Sequence, residues 1–356
     1  MRVAIDAREL SGRPTGVGRY LGGLLREWTG TASDSHEFVL YAHQAVDPAL
    51  AAGCAVRVVP GNGGTAWEQR ALPRALASDR PDVLFSPAYS TPLFTPTPRV
   101  VALHDISFVA RPDWYRWREG MRRRLLAKRS AAAARAVVTI SQFSKCEIVR
   151  RLGLQAGRIH VIPPGIDAPR GSTHSGDGSA QVLYVGSIFN RRHVPELVAA
   201  FDSVAQRHPD ASLHMVGDNR SHPHQDIAAL IAARPTAHRM HWHRYVDDDR
   251  LHQMYRDARA FAFLSEYEGL GLTPLEALAA GVPSLLLDTA VARESCGDAA
   301  LYVSLGDARA IGAALERLVY DEPTRRGLLM RARAVLARYD WARAARETLA
   351  VLEAAR

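Results

Sequence analysis

Residues 260–288 read AFAFLSEYEGLGLTPLEALAAGVPSLLLD and join two apolar, β-rich runs through a glycine-containing segment. The runs are 260–265 and 283–288. Between them Thr273-Pro274-Leu275-Glu276 fits a capping box with proline at the first helical position, and Gly281 fits a helix stop. The stretch therefore predicts strand, loop, helix and strand, which is the repeating unit of a parallel α/β sheet.

The same alternation extends through the chain, which at 356 residues is long enough for two cores. We predict an α/β fold with two Rossmann-like parallel-sheet domains facing a central cleft. A Gly-, Ser- and Pro-rich break separates the two sets of strands. The predicted segments are a domain at 1–168, a linker at 169–180, a domain at 181–338 and an amphipathic helix at 339–356 that packs towards the first domain. The predicted strands are 2–6, 37–42, 55–60, 82–87, 99–105 and 136–141 in the first half, and 181–187, 212–217, 240–246, 260–265 and 283–288 in the second.

Composition narrows the class of protein. Cys54, Cys146 and Cys296 are far apart and form no C-x-x-C pair, so neither a disulfide framework nor a zinc site is indicated. The N-terminus lacks an apolar signal core, and no run approaches the ~18 apolar residues of a spanning helix. We expect a cytoplasmic protein. Its net charge is +8, and residues 111–135 carry nine Arg and Lys against two acids, or +7 of that total.

Glu268 and Glu276 flank the bare loop of the opening stretch. Glu276 could serve only as a helix cap, whereas Glu268 precedes the cap and needs another explanation. Backbone amides at the start of a helix that follows a strand form an anion site, and a phosphate is its natural ligand. Carboxylates beside a phosphate would repel it unless they accept hydrogen bonds from hydroxyls. The pattern therefore favours a nucleotide sugar.

Here the sequence resembles glycosyltransferase family 4, whose E-x7-E signature matches Glu268 to Glu276. Further motifs match in order along nearly the whole chain. They are IDARELSGRPTGVGRYL (5–21), LHDISF (103–108), TISQFSKCEI (139–148), VIPPGID (161–167), LYVGSIFNRRH (183–193), YVDDDRL (245–251) and DWARAA (340–345). The resemblance implies a retaining enzyme of GT-B fold that needs no bound metal or cofactor.

The resemblance also implies roles for single residues. Glu276 would bind the nucleotide ribose, Glu268 the donor sugar, and Val246 would lie near the base. His104 would lie at the reaction centre, although a histidine that ends a strand is often only structural. The diphosphate would be approached by two sets of backbone groups, in a glycine loop and before the predicted helix: Gly16, Gly18, Gly269, Leu270, Gly271 and Leu272.

The sequence departs from the family pattern after the strand at 181–187. Arg192 stands where the family usually has the diphosphate-binding lysine, and either cation can stabilise a departing diphosphate. Ser187 stands where many members have an arginine, which removes a charge. Arg191 could compensate, so the residues alone leave open which of Arg191 and Arg192 faces the phosphates.

The basic segment 111–135 has two interpretations. Its aromatic and basic side chains could contact an anionic membrane or the acceptor, or they could form a solvated helix face. A nucleic-acid partner is not expected, because no recognised motif accompanies the charge. The candidate patch consists of Trp114, Trp117, Arg122, Arg123 and Arg124.

Two further patterns are weaker. The Gly16-Val17-Gly18 stretch resembles a dinucleotide fingerprint but lacks its third glycine. Six histidines between His214 and His243 could suggest a metal site, but their spacing favours solvated or structural roles.

The sequence as a whole predicts a hexosyltransferase in surface polysaccharide or glycoconjugate synthesis. The sequence resembles family members that handle mannose or rhamnose, and this resemblance implies GDP-mannose as the donor, or else a UDP- or dTDP-sugar. The acceptor would be a glycan or a lipid-linked glycan. We expect a cytoplasmic location, with peripheral contact at the inner face of the membrane as an open alternative. A sugar-nucleotide epimerase, a glycan phosphorylase and a non-catalytic membrane-associated binding protein remain as rival interpretations.

Overall fold

The computed structural model describes residues 1–12, 16–32, 35–168 and 179–356. These residues form two compact units. The first comprises Met1–Pro112, Trp117–Gly165 and Tyr339–Arg356, and the second comprises Asp113–Arg116 and Ile166–Arg338. Most of the predicted linker, 169–178, lies outside the described residues. Each unit contains a parallel sheet with helical connections, so the predicted α/β fold with two Rossmann-like sheets is confirmed.

In its described part, the first unit contains a seven-stranded parallel sheet with the order β3-β2-β1-β4-β5-β6-β7. The order reverses between β1 and β4, where chain-distant strands become neighbours. The central strands are buried, as expected for a parallel sheet covered on both faces. The strands are β1 Arg2–Asp6, β2 Glu37–Ala42, β3 Ala55–Val58, β4 Val83–Ser86, β5 Arg99–Ala102, β6 Ala136–Thr139 and β7 Ile159–Val161.

The helices that connect these strands range from 4 to 17 residues in length. A π-helical turn at Trp67–Ala71 leads directly into α3, and single 3-10 turns occur at Arg8–Leu10, Pro112–Trp114 and Ala156–Arg158. The α-helices are α1 Gly16–Thr31, α2 Pro48–Ala51, α3 Leu72–Asp79, α4 Ser107–Ala110, α5 Trp117–Ala133 and α6 Gln142–Leu152.

Over its described residues, the second unit has a six-stranded parallel sheet with the order β10-β9-β8-β11-β12-β13. In chain order this is 3-2-1-4-5-6, the arrangement of a dinucleotide-type Rossmann sheet, with its reversal between β8 and β11. The strands are β8 Gln181–Val185, β9 Ser212–Val216, β10 Met240–His243, β11 Ala258–Phe263, β12 Ser284–Leu287 and β13 Ala300–Val303.

Seven helices belong to the second unit, counted over its described residues. Short 3-10 turns at Asn190–Arg192 and Ala237–Arg239 precede α7 and β10. The helices are α7 Val194–Arg207, α8 Ile227–Ala232, α9 Asp248–Asp257, α10 Leu272–Ala279, α11 Ala290–Cys296, α12 Ala308–Tyr320 and α13 Glu322–Leu336.

The closing helix α14, Trp341–Ala354, belongs to the first unit and packs against α1. Its entry is fixed by Asp340, whose carboxylate accepts the Arg343 amide at 2.7 Å. Trp341 fills space that a side chain at Gly165 would need, since a Cβ there would lie 2.2 Å from the indole Cγ. The Trp28 indole Nε1 donates to the Ala345 carbonyl oxygen at 2.9 Å. Side-chain packing and hydrogen bonds therefore anchor α14.

Across the described ranges, no helix combines the length and the apolar character needed to cross a bilayer.

Candidate functional site

The reversal in strand order of the second sheet sets the position of the candidate site. Two loops leave the carboxyl ends of β8 and β11, which are hydrogen-bonded neighbours in this sheet. The first loop runs over 186–193 and the second over 264–271. Ligands of open α/β sheets bind outside the carboxyl ends of the strands at such a reversal. The loops after β8 and β11 are therefore the part of this unit best placed to hold a ligand.

Two glycines allow the backbone to pack closely at this edge. Gly217 follows β9, and a Cβ built on it would lie only 2.0 Å from the carbonyl oxygen of Gly186. Its φ of 151° also lies in the region that side chains rarely adopt. Because these two backbone segments approach so closely, the loop after β8 has little room to shift between Gly186 and Arg192.

Arg192 and Glu268 form the central polar contact of the site. The Arg192 Nε donates to Glu268 Oε1 at 2.8 Å, and its Nη1 donates to the Ser187 carbonyl oxygen, also at 2.8 Å. The Ser265 hydroxyl donates to the same carboxylate at 2.8 Å. The two charged side chains are only 12% and 15% exposed. The pair therefore joins the loops after β8 and β11 through a shielded ion pair.

The charges of this pair decide its protonation. Burial by itself would raise the pKa of Glu268, but the neighbouring Arg192 and Arg191 cations outweigh it and hold the pKa below its ordinary value of 4.5. Burial likewise opposes the charged form of Arg192, yet the Glu268 carboxylate raises its pKa further. Glu268 is therefore an ionised hydrogen-bond acceptor and Arg192 a permanent cation.

Arg191 lies beside this pair but in a different environment. Its guanidinium carbon lies 4.5 Å from the ring centroid of Phe189 and 5.8 Å from that of Trp114. Its carbonyl oxygen accepts the Glu266 amide at 3.0 Å, which ties the two loops together at the backbone. The structure therefore directs Arg192 towards Glu268 and Arg191 towards an aromatic cluster.

The start of α10 differs from the predicted capping box. The helix begins at Leu272, and its N-cap is Gly271, whose φ of 93° is left-handed. Thr273 is thus the second helical residue, and Pro274 the third, where a missing N–H leaves no helical carbonyl unsatisfied. The prediction of a Thr273 cap was wrong because glycine at 271 lets the chain turn into the helix two residues earlier.

The amides of Leu272 and Thr273 are the first two of α10, so no carbonyl of the helix can accept their hydrogens. Together with the positive end of the helix, such amides favour an anion. Glu268, Leu270 and Gly271 line one recess, so the carboxylate and the start of the helix border the same space. The predicted stop is present, because the amides of Gly281 and Val282 close a Schellman motif onto the carbonyls of Leu278 and Ala277.

Glu276 lies one turn into α10 instead of at its cap. Its Oε2 accepts a hydrogen bond from the Tyr255 hydroxyl at 3.3 Å. The prediction that Glu276 also closes a cap was therefore wrong, and a polar side chain on α9 orients it instead. Val246 lies half-buried in the loop between β10 and α9.

His104 belongs to the first unit and follows β5. Its Nε2 lies 2.9 Å from the Pro87 carbonyl oxygen, and its ring packs edge-on against Tyr20 with centroids 4.4 Å apart. Burial lowers the pKa of His104 to about 4, so the imidazole is neutral near pH 7. A carbonyl can only accept, so Nε2 carries the proton and Nδ1 presents a lone pair. Nδ1 is buried and has no hydrogen-bond partner within the described residues.

Asp105 does not orient the His104 ring. Its Oδ1 accepts the Ser107 amide at 2.5 Å, so the carboxylate caps the turn that follows.

The predicted glycine loop near the N-terminus is instead the first turn of α1. Gly16 and Gly18 lie inside this helix. Tyr20, Leu24 and Trp28 are buried at a four-residue spacing, and packing of this stripe extends the helix back to Gly16. Gly16 therefore presents helical backbone to any ligand, whereas Gly18 is buried by the packing of the helix.

The candidate basic patch is divided by the fold. Trp114 is half-buried in the second unit, where its ring lies 6.3 Å from that of Tyr267. The other four residues lie on α5 of the first unit, where Trp117 and Arg122 are exposed and Arg123 and Arg124 are half-buried. Trp114 thus lies beside the loops that carry Arg191 and Glu268.

The histidines of the second sheet form a ring cluster. His214 lies 4.7 Å from His241 and 5.9 Å from His243, measured between ring centroids. Burial and the neighbouring histidines lower the pKa of His214 to about 4. Among the described residues, no group of three or more His, Cys, Asp or Glu side chains has a geometry that could hold a metal ion.

Sequence reasoning missed the residues that support Arg192. The Tyr184 hydroxyl donates to the Ser187 carbonyl oxygen at 3.2 Å, and the Phe263 ring lies 4.8 Å from the Arg192 guanidinium carbon. Both residues lie in the apolar runs that form β8 and β11, so the sequence indicated only a role in the core for them. Ser265 stood in the quoted motif, but its contact with Glu268 depends on the turn after β11.

A larger open recess, of about 580 Å³, lies at the amino ends of β1 and β2 in the first unit. It is lined by Met1, Glu37 and Gly53 among others and contains none of the candidate residues. We place the site at the carboxyl edge of the second sheet, because charge, glycine turns and helix termini converge there.

Two protein-family models match consecutive parts of the chain. The model described as Glycosyltransferase Family 4 matches residues 14–170, and that described as Glycosyl transferases group 1 matches residues 166–335. The chain belongs to glycosyltransferase family 4. This family 4 protein is a glycosyltransferase of the GT-B type, with the two Rossmann-like sheets of that fold.

Individual relatives have low sequence identity to this chain, but the similarity extends over most of its length. The family 4 chain is 27% identical over 271 residues to O-antigen chain mannosyltransferase B of Escherichia coli, which covers 70% of this chain and 68% of the relative. It is 27% identical over 300 residues to glycogen synthase of Mycobacterium tuberculosis, with 78% and 70% covered. The crystal structure of Anabaena Alr3699/HepE in complex with UDP-glucose superposes with a TM-score of 0.78 at 16% identity, over 99% of this chain and 100% of that one. At this identity the superposition shows the shared fold alone.

Proposed function

We propose that this glycosyltransferase moves a hexose from a nucleotide-diphosphate sugar to an acceptor hydroxyl with retention of anomeric configuration. The observation that carries the proposal is the shielded Arg192–Glu268 pair at the strand reversal of the second sheet. A recess bordered by Glu268 extends to the start of α10. One region thus offers a cation and helix-end amides for a diphosphate and a carboxylate for sugar hydroxyls.

The donor we propose is GDP-mannose. Support comes from the name of the E. coli relative, a mannosyltransferase of the O-antigen chain, and we propose surface polysaccharide or glycoconjugate synthesis as the process on the same ground. A UDP- or dTDP-hexose is the second candidate, since the Anabaena structure contains UDP-glucose. The acceptor would be a glycan or a lipid-linked glycan, used at the inner face of the membrane.

The proposed step breaks the bond between the sugar C1 and the diphosphate oxygen. A new bond forms between C1 and the acceptor oxygen on the face from which the diphosphate leaves, and the departing phosphate oxygen takes the acceptor proton. Negative charge grows on the leaving phosphate as the bond breaks. Arg192 and the amides of Leu272 and Thr273 are fixed groups that stabilise this charge, so we assign to them the role that a metal ion has in other transferases.

Glu268 would position the donor sugar. Its depressed pKa keeps it ionised, so it accepts hydrogen bonds from sugar hydroxyls without supplying a proton. Glu276, oriented by Tyr255, would bind the ribose hydroxyls. In the first unit, the His104 Nδ1 lone pair would accept a hydrogen bond from a substrate hydroxyl.

A turnover assay tests this function. The purified chain is incubated with UDP-, GDP- and dTDP-sugars, with and without candidate acceptors, and release of nucleoside diphosphate is measured. We expect release with one donor class, stimulated by an acceptor, and a product with the donor's anomeric configuration by NMR. No release with any donor contradicts the proposal. Isomerisation of the donor alone, or a requirement for inorganic phosphate, would indicate an epimerase or a phosphorylase instead.

The matched control for charge loss is Glu316→Gln. Glu316 pairs with Arg207 at 2.7 Å between α12 and α7, and both side chains are substantially exposed. We expect this variant to retain turnover, whereas Glu268→Gln should lose most of it. Equal activity of the two variants would remove Glu268 from the site.

A further inference from the structure

The surface of α5 reverses the usual arrangement of an amphipathic helix. Its buried face consists of small residues, Gly120, Ala127, Ser130 and Ala131. The Ser130 hydroxyl accepts the Thr91 amide at 3.0 Å, which fixes this face against the first unit. The large apolar residues of the helix must therefore find their place elsewhere.

Three of those large residues point to solvent. Trp117 is 69% exposed, Met121 42% and Leu125 49%. They follow one another at a four-residue spacing, so they form a single stripe along the first two turns of the helix. Scattered exposed apolar residues are normal, but a stripe that includes a tryptophan marks an interaction surface.

The charges around the stripe are predominantly positive. The exposed charged residues of α5 are Arg118, Arg122, Lys128 and Arg129. The single acid of the helix, Glu119, is half-buried and pairs with Arg123. The outward face of α5 therefore combines apolar anchors with four exposed cations, and its one acid is paired with Arg123.

We propose that this α5 face, composed of the three-residue stripe and the four exposed cations, docks the enzyme on an anionic lipid bilayer. The helix would lie in the plane of the interface, with Trp117, Met121 and Leu125 inserted among the acyl chains. Indole rings favour the boundary between headgroups and acyl chains, and long basic side chains extend from it to the lipid phosphates. The helix of 17 residues is about 25 Å long, which presents several headgroup contacts at once.

A lipid surface fits this face better than a protein or a nucleic acid. A protein partner would be expected to pair its own acids with the arginines of α5. Nothing in the α5 pattern points to a partner of particular sequence. A nucleic acid would use the cations but leave the Trp117, Met121 and Leu125 stripe exposed to water. An anionic bilayer provides acyl chains for the apolar stripe and phosphates for the four cations.

Expected effects follow from the chemistry of the face. Each cation near an anionic bilayer strengthens partitioning about fivefold, so the pair Arg118→Gln with Arg122→Gln should weaken binding about 25-fold. Removal of two inserted anchors, Trp117→Ser with Leu125→Ser, should weaken it more than about 100-fold. Met330→Ser with Arg331→Gln is the matched control, because Met330 is 80% exposed beside an exposed arginine on α13 of the second unit.

The experiment is cosedimentation of the full chain with vesicles of phosphatidylcholine containing phosphatidylglycerol, and with vesicles of phosphatidylcholine alone. No nucleotide sugar is added, so failure here is distinct from failure of glycosyl transfer. We expect binding to the anionic vesicles only, weakened by salt, lost in the two α5 variants and kept in the control. Subtraction of the Trp117→Phe spectrum from the wild-type spectrum should show a blue shift of Trp117 emission on binding.

The proposal is overturned if wild-type protein stays in the supernatant, if both lipid mixtures bind it equally, or if the α5 variants bind like the control. Retention on nucleic acid with no binding to vesicles would also overturn it. Thermal unfolding midpoints near that of the wild type verify that the variants are folded.

Discussion

Replacement of Glu268 by alanine removes one negative charge. This loss should destabilise the second unit and abolish the activity of the enzyme. In the folded chain Arg192 is 12% exposed and relies on Glu268 for its ion pair. Removal of one member of a buried pair costs about 3–5 kcal/mol. Arg192 keeps the Ser187 carbonyl and the Phe263 ring, so we expect the lower end, about 3 kcal/mol. For a unit of this size that is a midpoint loss of about 6–12 °C.

The effect has a defined pH dependence. Because the pKa of Glu268 is depressed in the folded chain, its contribution is present above the ordinary value of 4.5 and is lost as pH falls through the depressed value. The difference between wild type and Glu268→Ala should therefore be full at pH 7 and shrink in acid.

The assay is thermal unfolding together with turnover, measured on single and double variants. In Arg192→Met with Glu268→Leu, both charges are gone, so stability should recover towards that of the wild type while activity does not. Glu268→Gln, which keeps the shape, should lower kcat/KM about 10- to 150-fold, the value of one hydrogen bond to a charged group. The expected loss in the unfolding midpoint is several times larger than about 1 °C. A Glu268→Ala midpoint within about 1 °C of the wild-type value would therefore refute the coupling between Arg192 and Glu268.

Three other predictions concern separate parts of the two units. Since burial lowers the pKa of His104 to about 4 from 6.5, the stability that its neutral form contributes is full above pH 6.5 and falls by about 3 kcal/mol towards pH 4; His104→Gln should flatten this slope in unfolding experiments. Gly217→Ala places a Cβ 2.0 Å from the Gly186 carbonyl oxygen, and a loss of at least about 2 kcal/mol in unfolding is expected, whereas wild-type stability would show that the loop can shift. Tyr255→Phe removes the hydroxyl that orients Glu276 and should raise the donor KM about 3- to 10-fold with kcat unchanged; an unchanged KM would separate Glu276 from donor binding.

The fold was largely predictable because its central strands are continuous apolar runs. The predicted run at 2–6 coincides with β1, and that at 37–42 with β2. β7 and β13 were missed, and both are edge strands whose residues are partly exposed. An edge strand of three or four residues lacks the uniform apolar pattern of a strand buried on both faces, so its pattern is not distinctive.

The site was predictable in composition but not in its local geometry. Glu268 stood out because no helix cap explained it, and the structure places it against Arg192. The start of α10 was misjudged because the left-handed turn at Gly271 competes with a good capping sequence at Thr273. The position of Trp114 in the second unit could not be read from a segment flanked by first-unit residues, since it depends on contacts made across more than 70 residues of chain.

A crystal structure of the chain with the donor nucleotide diphosphate bound tests the central claim most directly. We expect the diphosphate oxygens within hydrogen-bond distance of Arg192 and of the amides of Leu272 and Thr273, with Glu276 against the ribose hydroxyls. A nucleotide held at the carboxyl edge of the first sheet, with Arg192 and Glu268 still paired and untouched, would contradict the account.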